Sequence, residues 1–378
     1  MPLPRFEVVE WRHLALDGAG RTPRLRGLTR MQTSLFFSCD WGSTHFRLRL
    51  VDRSSGRLLA QIRGDQGVRR MNEELLADTS LSRESHYACF LSRQIDLLRT
   101  TALERHPEQQ TCLEGESFCA LPVVVSGMAS SSVGWREIPY GFLPCGLDGE
   151  GIPHASLPLC SDGAGPREAW LVSGLTDSRD MMRGEETEIV GLFAGGRFEE
   201  VTQEGWLVLP GTHSKHVRLE AGRITHVRTF MTGELFDVLS RHSLLGVSVR
   251  ATDYPSLSKD PQARGAFVEG VEASVRDGLA ASLFQVRANT VLQGVKPSVN
   301  RWYLSGLLVG SEVMSLESST EKGWVLLAAS GELREAYSLA FGALQASERL
   351  ILPEENEMEL AVVRGQARLA MRWEEIAE

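Results

Sequence analysis

Lysine is nearly missing from this chain: of its 40 basic residues, only Lys215, Lys259, Lys296 and Lys322 are not arginine. Acids outnumber bases by 49 to 40, for a formal charge of −9. Nucleic acid and anionic membrane select clustered positive charge, so neither is expected as a partner. A few local arginines still suffice for an anionic small substrate. Cysteine is also sparse, at positions 39, 89, 112, 119, 145 and 160, without a C-x-x-C pair. That excludes a zinc ribbon and points to a reduced, cytoplasmic protein without structural disulfides. No window approaches 18 consecutive apolar residues, the length a spanning helix needs. Residues 1–30 contain Arg5, Glu7, Glu10 and Arg12 and no continuous apolar stretch, so they do not read as a signal peptide. No G-x-x-x-x-G-K-[ST] sequence is present, which excludes a P-loop kinase. The serine-rich segment at 126–135 lacks G-x-S-x-G, which argues against a serine hydrolase.

The rest is ordinary for a globular enzyme. Hydrophobic residues make up 42% and charged residues 24% of the 378, too apolar for a disordered chain and long enough for two domains. Residues 1–33 read as an extension rich in Arg, Gly and Pro. Ser34–Asp40 is a short apolar strand, Trp41–His45 a turn, and Phe46–Asp52 and Arg57–Arg63 two further strands. Residues 78–118 are polar and poorly patterned, expected as part helix and part surface insertion. Leu121–Ser126 is a buried-type strand, 141–168 an irregular covering loop, and Trp170–Gly174 another strand. A helix is expected to begin at Glu185. The boundary is set around 195–205, giving domains at 34–202 and 203–378. The second half opens with strand Trp206–Leu209, a small-residue turn and two more strands, repeating the plan at 34–52. Helices follow, with apolar residues from Phe267 to Leu283 at every fourth position and further helices at 302–317 and 332–345. Two meanders with small-residue turns, each followed by helices, suggest an internally duplicated α/β fold.

Four segments carry chemistry. In Asp40-Trp41-Gly42-Ser43-Thr44 a tight turn sets backbone N–H groups and two hydroxyls around a phosphate-sized concavity, and Asp40 can hold Mg²⁺ through water. A plain hairpin with a polar turn is the alternative. Pro210-Gly211-Thr212-His213-Ser214-Lys215 repeats the plan; His213 and His216 face opposite sides of a strand, which argues against joint metal ligation. Asp180, Arg183, Glu185 and Glu186 cluster where a helix opens. The acids either complement the helix dipole or supply a general base for a sugar hydroxyl, with Arg183 pairing a substrate carboxylate. The loop Ser126–Trp135 can hydrogen-bond a polyol and stack its ring face.

Together, CDWGSTHFRLRL, VVSGMASSSVGW, SGLTDSRDMMRGEETEIVG, VLPGTHSKHV, FMTGELFDVLSRHSLLG, FVEGV and LSGLLVGSEV resemble, in order, the 2-dehydro-3-deoxygalactonokinase family of the sugar kinase–actin–Hsp70 superfamily. The resemblance spans about residues 34–345. It implies an α/β fold of two ribonuclease-H-like domains flanking a cleft in which ATP and a sugar acid meet. It makes Glu185 the catalytic base, with Glu186 and then Asp180 behind it. Asp40, Gly42, Ser43 and Thr44 fall to the first phosphate loop, with Asp40 as metal ligand. Gly211, Thr212, His213 and Lys215 fall to the second, and Gly331 to the adenosine side. Trp41, Met128, Ser130, Trp135 and Arg183 are the sugar-side candidates. The implied reaction is Mg-ATP-dependent phosphorylation of 2-dehydro-3-deoxy-D-galactonate to its 6-phosphate, in galactonate catabolism. A homodimer is compatible with it. Rival readings are a kinase for another hexose or sugar acid, a non-catalytic sugar- or nucleotide-binding regulator, and an exopolyphosphatase-like hydrolase.

Overall fold

A computed structural model describes residues 34–77, 80–160, 165–317 and 323–377. The expected N-terminal extension, 1–33, lies outside the described residues. The chain divides into two units, Met1–Arg197 with Glu359–Glu378, and Phe198–Met358. The expected boundary at 202/203 falls five residues late, and the C-terminal segment, assigned to the second domain from the sequence, joins the first unit.

The first unit begins with strands β1 (Leu35–Trp41), β2 (Phe46–Asp52) and β3 (Arg57–Gly64), then helices α1 (Val68–Ala77) and α2 (Arg83–Arg105). Strands β4 (Val123–Gly127), β5 (His154–Pro158) and β6 (Glu168–Val172) follow, and helix α3 (Glu185–Phe193). The sheet order is β3-β2-β1-β4-β6-β5, with β1–β2 and β2–β3 antiparallel and β1–β4 and β4–β6 parallel. Alternation along β1 sends Leu35, Phe37, Cys39 and Trp41 into one apolar core, while Ser38 and Asp40 lie on the other face.

Segment 78–118 corrects an expectation. Ser82 caps α2 by accepting the Ser85 N–H, and Tyr87, Leu91, Ile95, Leu98 and Ala102 bury one stripe of it in that core. The expected helix is present at Arg83–Arg105, but it is a core helix and not a surface insertion, and its exposed faces are polar enough to blur the pattern. Cys89 on α2 is disulfide-bonded to Cys160, just past β5, with Cα atoms 4.9 Å apart. The expectation of no disulfide is thereby overturned. The pair is 71 residues apart, so only the packing of α2 beside β5 creates it. The covering loop at 141–168 likewise contains β5, paired with β6.

The second unit repeats the plan. Strands β7 (Glu204–Leu209), β8 (Ser214–Glu220) and β9 (Arg223–Phe230) form an antiparallel meander, followed by helices α4 (Thr232–His242), α5 (Pro261–Asp277) and α6 (Pro297–Glu317). Strand β10 (Trp324–Leu327) lies parallel to β7, and after α7 (Gly331–Ala343) strand β11 (Leu350–Ile351) lies parallel to β10. The order β11-β10-β7-β8-β9 matches the first sheet, so both units are ribonuclease-H-like. Helix α5 ends at Asp277, capped by Gly278, so Leu279 and Leu283 belong to the next turns.

The last helix, α8 (Glu355–Ala377), had no counterpart in the sequence reading. Its Gln366 donates to the Cys39 carbonyl and to Ser126 Oγ, both at 2.8 Å, locking it onto the polar face of the first sheet. It crosses α3 at backbone contact: a Cβ on Gly191 would sit 1.7 Å from the Ala361 carbonyl oxygen, and one on Gly365 1.8 Å from that of Thr187. In the second unit α5 and α6 cross the same way, with Gly306 against the Phe267 carbonyl at 2.0 Å and Gly270 against that of Tyr303 at 2.3 Å. Only glycine tolerates such an approach.

Gly306→Ala should therefore force α5 and α6 apart. Overpacking of this kind costs about 1–3 kcal/mol or more, read as a lowered urea midpoint at unchanged slope. An unshifted midpoint would show that the crossing relaxes freely.

Candidate active site

In parallel strands the loops after the C-terminal ends share one edge, where α/β proteins bind ligands. In the first unit β1 runs into Gly42, β4 into Met128 and β6 into Ser173, so the loops 42–45, 128–135 and 173–184 emerge together. In the second unit β7 runs into Pro210 and β10 into Ala328, whose N–H bonds the Val208 carbonyl. That places Gly211 and Thr212 on the same edge as Gly331, which opens α7 at φ +56°.

Each meander turn is seated on a helix start. In the first unit the N–H groups of Val68 and Arg69 donate to the carbonyls of Gly42 and Ser43, both at 3.0 Å. Gly67 makes room, since any Cβ there would lie 2.4 Å from the Thr44 backbone. In the second, Glu234 N–H donates to the Thr212 carbonyl at 3.0 Å, and a Cβ on Gly233 would lie 2.5 Å from the Gly211 carbonyl oxygen. A trans peptide points its N–H opposite its C=O. With the carbonyls of Gly42, Ser43 and Thr212 drawn back, the N–H groups of Ser43, Thr44 and His213 point away from the helix. The side chains of Ser43, Thr44 and Thr212 are exposed, and the space a Cβ would take at Gly211 is open. Both turns are shaped as anion cradles.

Several sequence-predicted residues take other roles. Trp41 is fully buried, its ring centroid 4.9 Å from Phe46 and 5.1 Å from Tyr87, and its Nε1–H donates to the Gln66 carbonyl. Trp135 is buried too, stacked parallel to Tyr87. Neither ring faces a ligand; both brace the loops from the core side, because position 41 shares the inward face of β1 with Cys39. Lys215 is buried in β8 with Nζ donating to Thr229 Oγ1 at 2.8 Å, so it braces the hairpin behind the turn. His213 is exposed and pairs with Glu234, whereas His216 is buried. The two face apart, as the sequence reading expects.

Arg183 is corrected as well. Its Nη1 donates to the Ser130 carbonyl and to Ser130 Oγ, both at 2.6 Å, and its Nη2 to the Ile138 carbonyl at 3.3 Å. Its guanidinium carbon lies 4.1 Å from the Tyr140 ring centroid. The planar fork is spent on shaping the loop 128–140 and is not held out for a substrate carboxylate. Ser130 is correspondingly buried, while Met128 at the strand end is half-buried.

The acids separate by environment. Gly184, at φ +109°, lets α3 start against β4, where a Cβ would meet Gly127 Cα at 3.3 Å. Gly127 is in register with Trp41, so Glu185 stands beside the Asp40 turn. Glu185 is half-buried, and its Oε2 accepts the Arg183 N–H at 2.9 Å. Glu186 is sealed: its carboxylate accepts the Gly184 N–H at 2.7 Å and the Thr187 hydroxyl at 3.1 Å. Burial, and then the charge of Glu185, push it up to about 8. Asp180 Oδ1 accepts the Met181 N–H at 2.7 Å and serves the hairpin 175–182. The sequence reading passed over Glu188, three residues past Glu185 on the same helical face; burial, then Glu185, then Asp40, push it up to about 8. The i, i+3 spacing was its only signal. Among the described residues no group of three or more His, Cys, Asp or Glu side chains is arranged to hold a metal ion. A Mg²⁺ ion here would rely on one or two carboxylates plus phosphate oxygens, its usual habit, and Asp40 fits that donor set.

Comparison with known proteins bears on the family and the fold. The family model for 2-keto-3-deoxy-galactonokinase matches residues 40–365. The 2-dehydro-3-deoxygalactonokinase of Escherichia coli (strain K12) is 29% identical over 324 residues, 82% of this chain and 91% of that protein. The "Probable 2-dehydro-3-deoxygalactonokinase DgoK1" of Rhizobium meliloti (strain 1021) is 31% identical over 323 residues, 82% and 90% of the two chains. The crystal structure of a candidate 2-dehydro-3-deoxygalactonokinase from Sinorhizobium meliloti superposes with a TM-score of 0.67 at 28% identity. That match covers 89% of this chain and 99% of the other.

Two stability measurements test the site. Arg183→Ala leaves the Ser130 and Ile138 carbonyls short of a charged donor and should cost about 1.5–3 kcal/mol by urea titration; no loss would contradict the bracing role. Glu186 and Glu188 hold protons in the folded state that they lose near pH 4.5 when unfolded. Their contribution is therefore complete below about pH 4.5 and falls as pH rises through about 8, by up to about 1.4 kcal/mol per pH unit for each. Glu186→Gln should flatten the stability profile between pH 5 and 8; an unchanged slope would contradict the assignment.

Proposed function

The chain belongs to the 2-keto-3-deoxy-galactonokinase family and is an ATP-using sugar-acid kinase, and we propose that Glu185 is the general base of its reaction. The observation that carries this reading is the sorting of the acids. Glu186 is sealed and proton-bearing at neutral pH, Asp180 is tied to its hairpin, and Glu185 remains half-accessible at the loop edge beside Asp40. Phosphoryl transfer needs little covalent help from a protein; positioning and charge neutralisation do most of it. On this reading the Ser43 and Thr44 N–H groups and hydroxyls form the first phosphate loop, and Gly211, Thr212 and His213 the second. Gly331 lies on the adenosine side. The first domain, 34–197 with 359–377, carries the first loop and the sugar loop; the second, 198–358, carries the other loop. Asp40 would hold Mg²⁺, directly or through water, and the ion would offset phosphate charge when bound.

The acceptor is 2-dehydro-3-deoxy-D-galactonate and the product its 6-phosphate. Arg183 holds the loop through Ser130, and Glu185, oriented by the Arg183 N–H, takes the proton of the attacking hydroxyl. The proton on Glu188 lowers repulsion among the neighbouring carboxylates. No described helix is long and apolar enough to cross a membrane. On this reading it is the use of ATP that sets the enzyme in the cytoplasm, the Cys89–Cys160 bond notwithstanding.

An ADP-release assay over sugars and 2-keto-3-deoxy acids tests the substrate, with activity confined to the galactonate derivative as the expected result. Glu185→Gln should lower kcat by about 10²–10⁴-fold while leaving KM for ATP nearly unchanged. Wild-type turnover in that variant would remove Glu185 from the base role.

A further inference from the structure

One carboxylate in the second unit does more than fill a core. Glu312 lies on α6 inside the run Leu304–Val313 and is only 1% exposed. Its Oε1 accepts the Ser214 hydroxyl at 2.6 Å and interacts with His216 Nε2 at 2.9 Å. Its Oε2 accepts the Tyr337 hydroxyl at 2.8 Å and the Thr232 hydroxyl. Burial alone would raise this carboxyl, but the hydrogen bond and charge of His216, with the hydroxyls of Ser214 and Thr232, bring it below its ordinary value.

The partners are not scattered. Ser214 is the first residue after the turn 210–213, and His216 follows it on β8. Thr232 is the first residue of α4, the helix whose Gly233 and Glu234 seat that turn from behind. Tyr337 comes from α7, the helix that Gly331 opens. One oxygen thus fixes the hairpin and the other fixes the two helices around it.

We propose that Glu312 is a positioning residue for the second phosphate loop, holding β8, α4 and α7 in the register that turns the Gly211–His213 segment toward phosphate. The proposal rests on the phosphate-loop reading above. A carboxylate serves four donors at once, two per oxygen. A glutamine offers one acceptor oxygen and an NH₂, so one pair of partners must reverse its hydrogen bonds or turn away, which shifts the register. Glu312→Gln keeps the volume and so is suited to the test, whereas Glu312→Ala would leave a buried cluster unsatisfied and confound it.

The experiment measures ADP binding by calorimetry, KM for ATP, kcat and Tm for wild type, Glu312→Gln, Ser214→Ala, Gly211→Val and Leu257→Ala. Leu257 is a buried core residue of the same unit, outside this network, and serves as a match for lost stability. Glu312→Gln and Ser214→Ala should weaken ADP binding and raise KM for ATP about tenfold, with kcat within about threefold, beyond anything seen in Leu257→Ala. If Glu312→Gln loses Tm as Leu257→Ala does but binds ADP like wild type, while Gly211→Val loses ADP, Glu312 is a structural residue only and the proposal is overturned. If Gly211→Val also binds ADP like wild type, the phosphate-loop reading fails, and the proposal with it.

Discussion

The structure depends on a constraint met twice: a hairpin turn must turn its N–H groups outward while its carbonyls are satisfied from behind. A buried carbonyl without a donor is costly, and a two-strand turn has no ladder partner to supply one. Here the first N–H groups of the following helix, which lack intrahelical acceptors, take that role. Val68 and Arg69 cover the turn at Gly42 and Ser43, and Glu234 covers Thr212. The helix can come that close only where its approach carries no side chain, at Gly67 and Gly233. Orphan donors and orphan carbonyls cancel, and the N–H groups left over are turned away from the helix.

Around each seat the fold adds rigidity by different means. In the first unit it is aromatic: Trp41, Phe46, Tyr87 and Trp135 pack behind the turn, and Arg183 ties the adjoining loop to its own carbonyls. In the second unit it is polar, with Glu312 collecting hydroxyls and an imidazole under the turn. Backbone-contact helix crossings at Gly191/Gly365 and Gly270/Gly306 stand behind both sheets. The same topology is thus braced by hydrophobic burial on one side of the duplication and by buried hydrogen bonds on the other. The second solution is the less forgiving, since a half-satisfied buried network is worse than an apolar one.

The electrostatics of the first unit follow from where each acid sits on α3. Glu186 points into the core and accepts the helix's own N–H; Glu185 and Glu188 share the outer face beside Asp40. Crowded carboxylates cannot all ionise cheaply, and the more buried ones keep their protons. A kinase that needs one carboxylate to accept a proton gains from that division.

How much of this was legible depends on range. The two meanders, their glycine turns, the start of α3 at Glu185 and the duplication are local patterns of period two and of turn chemistry, and the sequence carried them. What it could not carry was direction. That Trp41 and Trp135 face the core, that Lys215 is braced by Thr229, and that Arg183 is spent on Ser130 are set by neighbours 14 to 94 residues away along the chain. The Cys89–Cys160 bond, the return of α8 to the first unit and the role of Glu312 belong to the same class. A lone acid in an apolar helix signals that some partner exists, but four donors from three elements meet only once the chain has folded. The sequence by itself determined which residues could cradle phosphate and accept a proton; the tertiary structure decided which of them face outward, because packing aims side chains and composition does not.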